Sequence, residues 1–415
     1  LHGARVTENH ALASALSRFS SESGHLVVGG RTAASLAEEH GTPLYLYSRD
    51  VVLRRHDALR ACLPEGVQIY YAVKANPHGG VLALMGGLYD GFDVSSMGEI
   101  QKARDAGVSP AAMSYAGPGK RVGELDFAVS HGIGSLSIES ERELQHVSAI
   151  CREKRSTARV MIRVNPDFAM NQSGMGMGGA RQFGIDAEQV PAVLARVRND
   201  ESIDFQGIHV FSGSQNLNAP TIVEHFARIV GYALDTCARA DMPLKVINIG
   251  GGLGIPYFSH EQDLDLDVVG RGLEDILHRH AGRLKDTRIR MELGRYLVGE
   301  CGVYLCRVLY RKTSHGRVFI VIDGGMHHNL AASGNLGQGL ARRPMPVTVA
   351  NRLDGPREQV TVVGPLCTPL DTFGTVEIPH AEEGDLVAVM NAGAYGLTAS
   401  PVFFLSHDLP REVLL

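Results

Sequence analysis

The sequence predicts an α/β protein, in which a (β/α)₈ TIM-type barrel is followed by a mostly antiparallel β domain. Two observations carry this prediction. Eight apolar, β-branched segments alternate with helical patterns over about 230 residues, which is the length and rhythm of such a barrel. After residue 292 the alternation stops, and short β-rich runs follow with little helical periodicity. We therefore predict a barrel over residues 48–292 and a β domain formed by residues 1–47 and 293–415.

Each predicted element rests on its own pattern of apolar and turn-forming residues. Before the barrel strands, strands and helices are predicted in alternation at His25–Val28, Thr32–Glu39, Thr42–Tyr47 and Arg49–Cys62. The eight barrel strands are apolar runs bounded by turn signals, at Val67–Lys74, Phe92–Ser95, Met113–Ala116, Ser135–Ile138, Ala158–Val164, Asp204–Phe211, Val246–Ile249 and Ile289–Glu292. The β domain is predicted from similar runs at Val303–Tyr310, Val318–Ile322, Gln359–Val363 and Leu386–Met390.

The composition is that of an ordinary soluble enzyme, 44% hydrophobic and 20% charged with a net charge of −5. This mild acidity, without any basic run, argues against a nucleic-acid partner. No apolar stretch reaches membrane-spanning length, and charged residues interrupt the first thirty positions, so neither a membrane segment nor a secretory signal is predicted. The six cysteines show no C-x-x-C spacing, which argues against a zinc ribbon or a disulfide framework. We expect a cytoplasmic protein without a metal site.

Lys74 lies near the end of the first predicted barrel strand. A lysine buried there would have a lowered pKa, because desolvation disfavours its charged form, and its neutral amine would form a Schiff base with an aldehyde. The alternative is an ordinary surface lysine at a strand end. The lysine alone does not decide between these two interpretations.

The ends of the last two barrel strands favour the first interpretation. Gly250–Gly252 follows the seventh strand and offers bare backbone amides to an anion. Glu292 is followed by Gly294 and Arg295 at the end of the eighth strand. The loops after strands seven and eight are the usual phosphate site of such barrels. A strand-end lysine and a phosphate site together suggest pyridoxal 5′-phosphate (PLP), with Glu292 facing the pyridine nitrogen.

Ten short motifs occur in one order along the chain, at Tyr71–Asn76, Phe92–Glu99, Arg163–Pro166, Phe183–Gly184, Gly207–His209 with Gly213–Gln215, Asn248–Gly252, Glu292–Arg295, Asp323–Met326, Gly364–Cys367 with Asp371, and Gly393–Gly396. In this order they resemble the fold-type III PLP-dependent decarboxylases, the family of diaminopimelate and ornithine decarboxylases. The resemblance runs from Thr42 to the C-terminus. It implies an alanine-racemase-like barrel with an added β domain, and a homodimer whose active sites are shared between subunits.

The resemblance also implies roles for individual residues. Lys74 would form the internal aldimine, Glu292 would keep the ring nitrogen protonated, and Cys367 would enter the site from the partner subunit and protonate the carbanion left by decarboxylation. The residues implied in cofactor binding, besides Lys74 and Glu292, are Asp93, Arg163, His209, Phe211, Ser214, Gly251, Gly252, Gly294, Arg295 and Tyr395, with Glu99 nearby. The residues implied in substrate binding are Thr368, Asp371 and Tyr395. Taken alone, Cys367 would be read as a buried apolar residue.

Three departures from the family pattern bear on the substrate. Phe211 stands where many relatives carry a second histidine that stacks on the cofactor ring, and Thr368 stands where an acidic residue often contacts the far end of a diamino substrate. The segment 327–335 replaces an Arg-Pro-x-x-Tyr run and is similar to decarboxylases of siderophore and exosortase-associated gene neighbourhoods. His327 and His328 in this segment are candidate metal ligands, but adjacent histidines without a carboxylate more often belong to a polar loop. The glycine- and methionine-rich Ser173–Gly179 is a candidate lid.

We conclude from the sequence that the protein is a PLP-dependent α-decarboxylase of an amino acid or an amino-acid-derived biosynthetic intermediate. Diaminopimelate decarboxylase proper is one alternative, and an amino-acid racemase on the same fold is another. Racemisation needs a base on each face of the ring, and Cys367 at the second face favours decarboxylation. A PLP-binding carrier protein without turnover is the alternative from another class, but such proteins resemble the barrel alone. The predicted partners are a small amino-acid-type substrate and a second copy of the chain.

Overall fold

A computed structural model describes residues 9–167, 179–211, 213–335 and 343–415. These residues form two units. The barrel unit consists of Asp57–Gly254 and Leu264–Gly294, and the sheet unit consists of residues 9–56, Ile255–Asp263 and Arg295–Leu415. No helix within the described ranges is both long and apolar enough to cross a membrane.

The described residues form twenty strands. They are β1 Ser20–Glu22, β2 His25–Val28, β3 Arg31–Thr32, β4 Leu44–Tyr47, β5 Gln68–Ala72, β6 Gly91–Val94, β7 Met113–Tyr115, β8 Ser135–Ile138, β9 Ala158–Asn165, β10 Ile185–Asp186, β11 Ile203–His209, β12 Val246–Gly251, β13 Arg288–Leu293, β14 Gly302–Ser314, β15 Arg317–Ile322, β16 Val347–Val349, β17 Arg357–Val363, β18 Thr372–Pro379, β19 Leu386–Val389 and β20 Arg411–Leu414.

The same residues form eleven α-helices. They are α1 His10–Ser17, α2 Ala33–His40, α3 Arg49–Cys62, α4 Gly79–Leu88, α5 Met97–Asp105, α6 Val122–Ser130, α7 Glu141–Lys154, α8 Val190–Arg198, α9 Ala219–Arg239, α10 Leu266–Arg279 and α11 Arg295–Val298. Side chains at the N-termini fix where several helices begin, because they accept hydrogen bonds from amides of the first turn. Ser96 caps α5, Ser140 caps α7 and Asp265 caps α10 in this way.

The barrel unit is a closed parallel barrel of eight strands. The strands β5 to β9 and β11 to β13 pair in the order β9-β11-β12-β13-β5-β6-β7-β8, and β8 pairs with β9 to close the circle. The short β10 adds to β9 outside this circle. All eight strands are largely buried, which explains their continuous apolar runs. The predicted (β/α)₈ barrel is confirmed, and so is the separate β domain.

Some barrel backbones approach each other so closely that only glycine fits. A Cβ atom at Gly207 would lie 1.8 Å from the carbonyl oxygen of Val246 on the neighbouring strand. A Cβ at Gly251 would lie 2.0 Å from the carbonyl oxygen of Glu292. Gly251 lies at the end of β12, so this close approach brings β12 and β13 together where the two strands carry their polar residues.

The sheet unit is built around β14, a strand of 13 residues. Strands β4, β15 and β19 all pair with β14 in antiparallel register, and β20 pairs in parallel with β4. The N-terminal strand β4 thereby becomes part of the C-terminal sheet. Residues of α1, α2, β2, β4, β14 and β19 share one buried apolar core.

The sheet unit also contains Ile255–Asp263, which the sequence-based boundaries placed inside the barrel. Polar contacts within the sheet unit account for the difference. Asn391 donates its side-chain amide to the carbonyl oxygen of Pro256, and Arg295 donates to the hydroxyl of Tyr257. These contacts join residues more than thirty positions apart, so no local pattern in the sequence predicts them.

Candidate active site

A cavity of about 620 Å³ lies in the barrel unit at the C-terminal ends of the strands. Six residues predicted to bind the cofactor line it together, namely Lys74, Asp93, Arg163, His209, Phe211 and Glu292. Most of the remaining wall comes from the chain after β6 and from the end of β7 through the start of α6, including Tyr115, Lys120, Arg121 and Glu124, and Phe183 also contributes. The carboxyl ends of barrel strands are where the active sites of this architecture form, so the cavity is the candidate active site.

Lys74 reaches the cavity from a short turn rather than from a strand. Strand β5 ends at Ala72, and Val73–Ala75 forms one turn of 3₁₀ helix. The Lys74 side chain is 44% exposed, and its Nζ lies 2.7 Å from Oδ2 of the buried Asp93. The expected burial of this lysine is therefore wrong. Its amine is accessible from the cavity and is paired with a carboxylate.

Asp93 is the buried carboxylate that holds Lys74. Burial raises the pKa of Asp93, and the nearby Glu292 carboxylate raises it further, while the Lys74 ammonium opposes both effects. Its second oxygen, Oδ1, is buried without a hydrogen-bond partner in the described part of the chain. The pair therefore holds the lysine over the cavity and leaves one carboxylate oxygen unused.

Glu292 lies at the end of β13 and is almost completely buried. Its Oε2 is 3.2 Å from Nε2 of His209, an ion-pair distance without hydrogen-bond alignment, and Asn248 donates its amide to Oε1. The hydroxyl of Ser137 lies 2.9 Å from Nδ1 of His209. Burial raises the pKa of Glu292, but the charges of His209 and Lys74 and the Asn248 hydrogen bond outweigh it, and the pKa falls to about 2. Glu292 is thus a carboxylate at every ordinary pH.

Arg163 lines the cavity beside a carboxylate that the sequence analysis missed. Its Nη1 lies 2.8 Å from Oε1 of Glu139, and its guanidinium stands 5.1 Å from the centre of the Phe183 ring. Glu139 directly follows β8, just as Asp93 and Glu292 lie at strand ends, and that shared position was the available signal. Ser140 and α7 follow at once, so Glu139 is easily taken for an ordinary residue at a helix start.

The glycines predicted to hold a phosphate form bare backbone at the ends of β12 and β13. Gly250 and Gly252 have φ angles of +66° and +86°, which favour glycine. A Cβ at Gly294 would lie 2.8 Å from the side chain of Ala75. Ser214, in the loop after β11, is half-buried. The amide of Gly250 already donates to Oδ1 of Asn248 over 3.0 Å, so Gly252 and Gly294 are the better candidates to offer their backbone to an anion.

Arg295 lies in the sheet unit with two tyrosines. Its Nη1 donates to the hydroxyl of Tyr257 over 3.1 Å, and its guanidinium is 4.7 Å from the centre of the Tyr395 ring. Burial lowers the pKa of Arg295, but the two tyrosines outweigh it and raise the pKa above its ordinary value. No carboxylate among the described residues pairs with it, and its Nε is buried without a partner. A buried guanidinium of this kind is suited to a phosphate.

Cys367 lies in the sheet unit on the loop between β17 and β18, and it is exposed. Asp371 in the same loop is buried, and its two carboxylate oxygens accept hydrogen bonds from the amides of Met326 and Leu366 over 2.6 and 2.9 Å. Gly325 and Gly364 have no space for a Cβ against this carboxylate. Asp371 therefore holds the loop that carries Cys367 and Thr368, whereas the sequence analysis assigned Asp371 to substrate binding.

His327 and His328 are buried in the sheet unit rather than spread along a polar surface loop. His328 lies within hydrogen-bonding distance of the Tyr304 hydroxyl and the Asp408 carbonyl oxygen. Neither ring nitrogen of His327 has a partner in the described residues. Across those residues, no three metal-ligating side chains come together.

Apart from Gly179, the candidate lid at Ser173–Gly179 lies outside the described residues.

The side chains present suit PLP. The cavity offers an accessible amine, an ionised carboxylate at Glu292 and room for a cofactor. Within the sheet unit, Arg295 has a buried Nε without a partner in the described residues. The fit therefore rests on the chemistry of these donors and on the bare glycine backbones.

Comparison with known proteins points to one family. The family model described as "Pyridoxal-dependent decarboxylase, pyridoxal binding domain" matches residues 49–299. The L-glutamyl-(BtrI acyl-carrier protein) decarboxylase of Niallia circulans is 40% identical over 92% of this chain and 90% of its own length. The 2-{(L-alanin-3-ylcarbamoyl)methyl}-2-hydroxybutanedioate decarboxylase of Staphylococcus aureus is 31% identical over 91% and 95%. The crystal structure of diaminopimelate decarboxylase from Helicobacter pylori complexed with L-lysine has a TM-score of 0.82 at 28% identity, with coverage of 92% and 93%.

Proposed function

The chain belongs to the pyridoxal-dependent decarboxylases, and from this premise we propose that it decarboxylates an amino-acid group whose far end is neutral or conjugated. Like its relatives, it is a PLP-dependent lyase. An aminoacyl group carried on an acyl-carrier protein is the first candidate, and an amino acid linked to a hydroxy acid is the second. The cytoplasmic location expected from the composition is part of the proposal.

The observation that carries this proposal is the absence of charged side chains at residues 364–370, on either side of Cys367. Residues 364–370 read Gly-Pro-Leu-Cys-Thr-Pro-Leu, and Thr368 is half-buried. A free diamino acid brings a distal ammonium into the site, and leaving such a charge unpaired costs several kcal/mol, roughly a thousandfold or more in selectivity. A conjugated far end carries no such charge. The named substrates of the Niallia circulans and Staphylococcus aureus relatives are conjugated in this sense, which supports the proposal.

One observation favours diaminopimelate as a second candidate. Arg121 and Glu124 line the cavity, and together they offer a cation and an anion to the far carboxylate and ammonium of that substrate. However, Oε2 of Glu124 already accepts the backbone amide of Arg121 over 2.7 Å. We therefore place diaminopimelate second.

We propose that bound PLP is held and used by the residues described above. PLP supplies an aldehyde that an amine attacks and a ring that accepts the electron pair left when CO₂ departs. Lys74 supplies that amine, and Glu292, ionised beside His209, keeps a proton on the pyridine nitrogen. We assign the phosphate to Ser214, Gly252, Gly294, Arg295 and Tyr395, as the family resemblance implies.

Asp93 and Arg163 are assigned to positions beside the cofactor ring. Phe211 and His209, at the end of β11, are assigned to the ring as well. Gly251, Gly294 and Ser214 complete the set of residues assigned to the cofactor.

We further propose a homodimer in which Cys367 serves the partner's site and donates the proton that replaces CO₂. Exposed apolar side chains support an interface beside the Cys367 loop. Leu370 is 45% exposed, and Phe403 and Leu409 are 88% and 56% exposed. The side-chain amide of Asn335 donates a hydrogen bond to the carbonyl oxygen of Leu370. Nε2 of His328 lies within hydrogen-bonding distance of the carbonyl oxygen of Asp408, the residue before Leu409. The segment 326–335 therefore contacts the chain at both of these exposed leucines. A second copy of the chain would remove this apolar surface from water.

The test of the proposed function is CO₂ release from a panel of substrates. We expect kcat/KM for carrier-linked or acylated amino acids to exceed that for free lysine, ornithine and diaminopimelate by roughly a thousandfold. Turnover of free diaminopimelate at about 10⁴ M⁻¹s⁻¹ or above would instead show ordinary efficiency and favour the second candidate. Thr368→Glu is the matched variant, and it should raise kcat/KM for free lysine and ornithine, since it restores a partner for the ammonium. Thr361→Glu, on the exposed face of β17, is the control.

A further inference from the structure

We propose that Glu139 is a positioning residue that fixes the guanidinium of Arg163 in the cofactor cavity. This inference rests on the proposed function, because it assigns Arg163 a task toward the cofactor. It adds a residue outside the motifs that define the family resemblance. Glu139 does not line the cavity itself, so it acts through its neighbours.

Glu139 is a buried residue that accepts hydrogen bonds from two loops and one strand of the barrel. Its side chain is only 2% exposed. Oε1 accepts hydrogen bonds from Arg163 Nη1 over 2.8 Å and from the amide of Gly117 over 2.6 Å. Oε2 accepts the amide of Gly184 over 3.1 Å. One carboxylate therefore joins the end of β8 to the loop after β7, to strand β9 and to the loop after β9.

The charge of Glu139 is stable enough for this task. Burial raises the pKa of Glu139, but the cations Arg163 and Lys120 and the hydrogen bonds outweigh it, so the pKa lies below its ordinary value. The carboxylate is thus ionised near neutral pH. A buried ion pair in which one partner is removed leaves the other charge uncompensated, which is strongly destabilising. Arg163 accordingly depends on Glu139.

Arg163 is held by Glu139 on one side and faces the cavity on the other. Only its Nη1 bonds to a described residue, and its side chain, 11% exposed, lines the cavity. The Phe183 ring stands against the guanidinium at 5.1 Å. Gly184, the next residue, lies so close to β9 that a Cβ there would lie 2.8 Å from the amide nitrogen of Asn165. Glu139 fixes both the guanidinium and, through Gly184, the aromatic wall beside it.

The neighbouring pair of Lys120 and Glu143 shows why Arg163, rather than Lys120, is available to a ligand. Lys120 is buried, and its Nζ donates to the carbonyl oxygens of Gly117 and Ser137 and pairs with Glu143 at 2.6 Å. Two of its three donors are used in hydrogen bonds, and the charge of its ammonium is already paired. Arg163 has five donors, and only one is committed to Glu139.

The test is a double-mutant cycle read out as the dissociation constant of PLP from the apoenzyme, measured by fluorescence titration. Glu139→Gln and Arg163→Gln should each weaken PLP binding roughly tenfold or more, as expected for a hydrogen bond to a charged group. Because Glu139 acts through Arg163, the double variant should bind no more weakly than Arg163→Gln alone. Glu141→Gln is the matched control, since Glu141 lies two residues on and pairs with Arg196 at the surface.

Each outcome has a separate meaning. If the effects of the two single variants on PLP affinity add, Glu139 acts through its loops and the inference fails. Unchanged PLP affinity in Glu139→Gln, with only a lower melting temperature, also overturns it. Should Glu139→Gln not fold, the double variant, in which an amide pair replaces the ion pair, supplies the comparison with Arg163→Gln. If the unaltered protein binds no PLP, the proposed function itself has failed.

Discussion

Nε2 of His209 lies 3.2 Å from Oε2 of Glu292, and both side chains are buried beneath the cavity of the barrel. An ionised carboxylate at this depth needs compensation, and His209, Lys74 and Asn248 provide it. The pKa of Glu292 is about 2, below its ordinary value of 4.5, so the folded protein favours the charged form. The stability gained from this preference is present above pH 4.5 and is lost as the pH falls toward 2.

The first prediction concerns Glu292. Glu292→Gln keeps the size of the side chain but removes the charge that would hold a proton on the pyridine nitrogen, and we expect kcat/KM to fall about a hundredfold or more. In the unaltered protein the acid limb of kcat/KM belongs to another group, because Glu292 does not titrate above pH 4. Rate measurements from pH 5 to 9 on both proteins, with Glu141→Gln as control, check this. A loss smaller than threefold would contradict the assigned role.

The second prediction distinguishes the two lysines that line the cavity. Lys74 is 44% exposed and should bind the PLP aldehyde, whereas Lys120 has its ammonium surrounded by two carbonyl oxygens and Glu143. Borohydride reduction of the PLP-loaded protein, followed by peptide mass spectrometry, should place the cofactor on Lys74 alone. In Lys74→Ala no lysine should be labelled. A label of similar yield on Lys120 would show that Lys74 is not the attachment site.

The sequence predicts the barrel because parallel strands buried on both faces leave continuous apolar runs. It predicts the strand-end residues Lys74 and Glu292 for the same reason, since polar groups after such runs share one edge of the sheet, whereas Asp93 was expected only from the family resemblance. It does not predict that β5 ends at Ala72, because Val73 is as strand-like as its neighbours, and the turn follows from the approach of Lys74 to Asp93. Because the strand ends before Lys74, the expectation that this lysine is buried was wrong.

Contacts between distant residues are the part of the site that the sequence does not reveal. Glu139 and Arg163 are 24 positions apart, and Glu139 and Gly184 are 45 apart. Asp371 is of a residue type that often binds substrates, yet its carboxylate accepts hydrogen bonds from two backbone amides. In the sequence, a carboxylate that binds substrate cannot be told from one that holds a loop, because only the hydrogen-bond partners in the folded structure distinguish the two.

The third prediction concerns acid stability and His327, whose side chain is completely buried. Burial, together with the charges of His328 and His407, lowers the pKa of His327 to about 3. In the unfolded chain this histidine takes up a proton near pH 6.5, whereas in the folded protein it stays neutral down to about pH 3. The contribution of His327 to the free energy of unfolding is therefore fully present above pH 6.5 and decreases as the pH falls toward 3. Between pH 7 and 5 this loss amounts to about 1–2 kcal/mol.

The variant that tests this is His327→Leu. Both ring nitrogens lack partners in the described residues, so an apolar side chain gives up no hydrogen bond. We expect the free energy of unfolding at pH 7 to be maintained and its decline toward pH 5 to become shallower. Urea titrations at several pH values measure both. His315→Asn is the control, since His315 is exposed and its φ of +47° suits asparagine. An unchanged slope would place the acid sensitivity elsewhere.

The last prediction concerns the shared active site. Lys74 belongs to the barrel unit, and Cys367 lies on an exposed loop of the sheet unit beside the apolar Leu370. If Cys367 serves the partner's site, a hybrid of Lys74→Ala and Cys367→Ala subunits contains one site that is intact and one that lacks both residues. Mixing the two inactive homodimers should restore about a quarter of the original activity, because roughly half of the molecules become hybrids with one working site.

The control for subunit exchange is a tag on one variant, with hybrids counted by native mass spectrometry. A mixture of Lys74→Ala with Lys74→Arg subunits should stay inactive, because no combination of these subunits restores the lysine. Recovery should rise in proportion to the hybrid fraction, since each hybrid contributes one site. If hybrids form and activity stays absent, Lys74 and Cys367 must act within the same subunit, and the exposed apolar surface around Leu370 would need another explanation than a shared site.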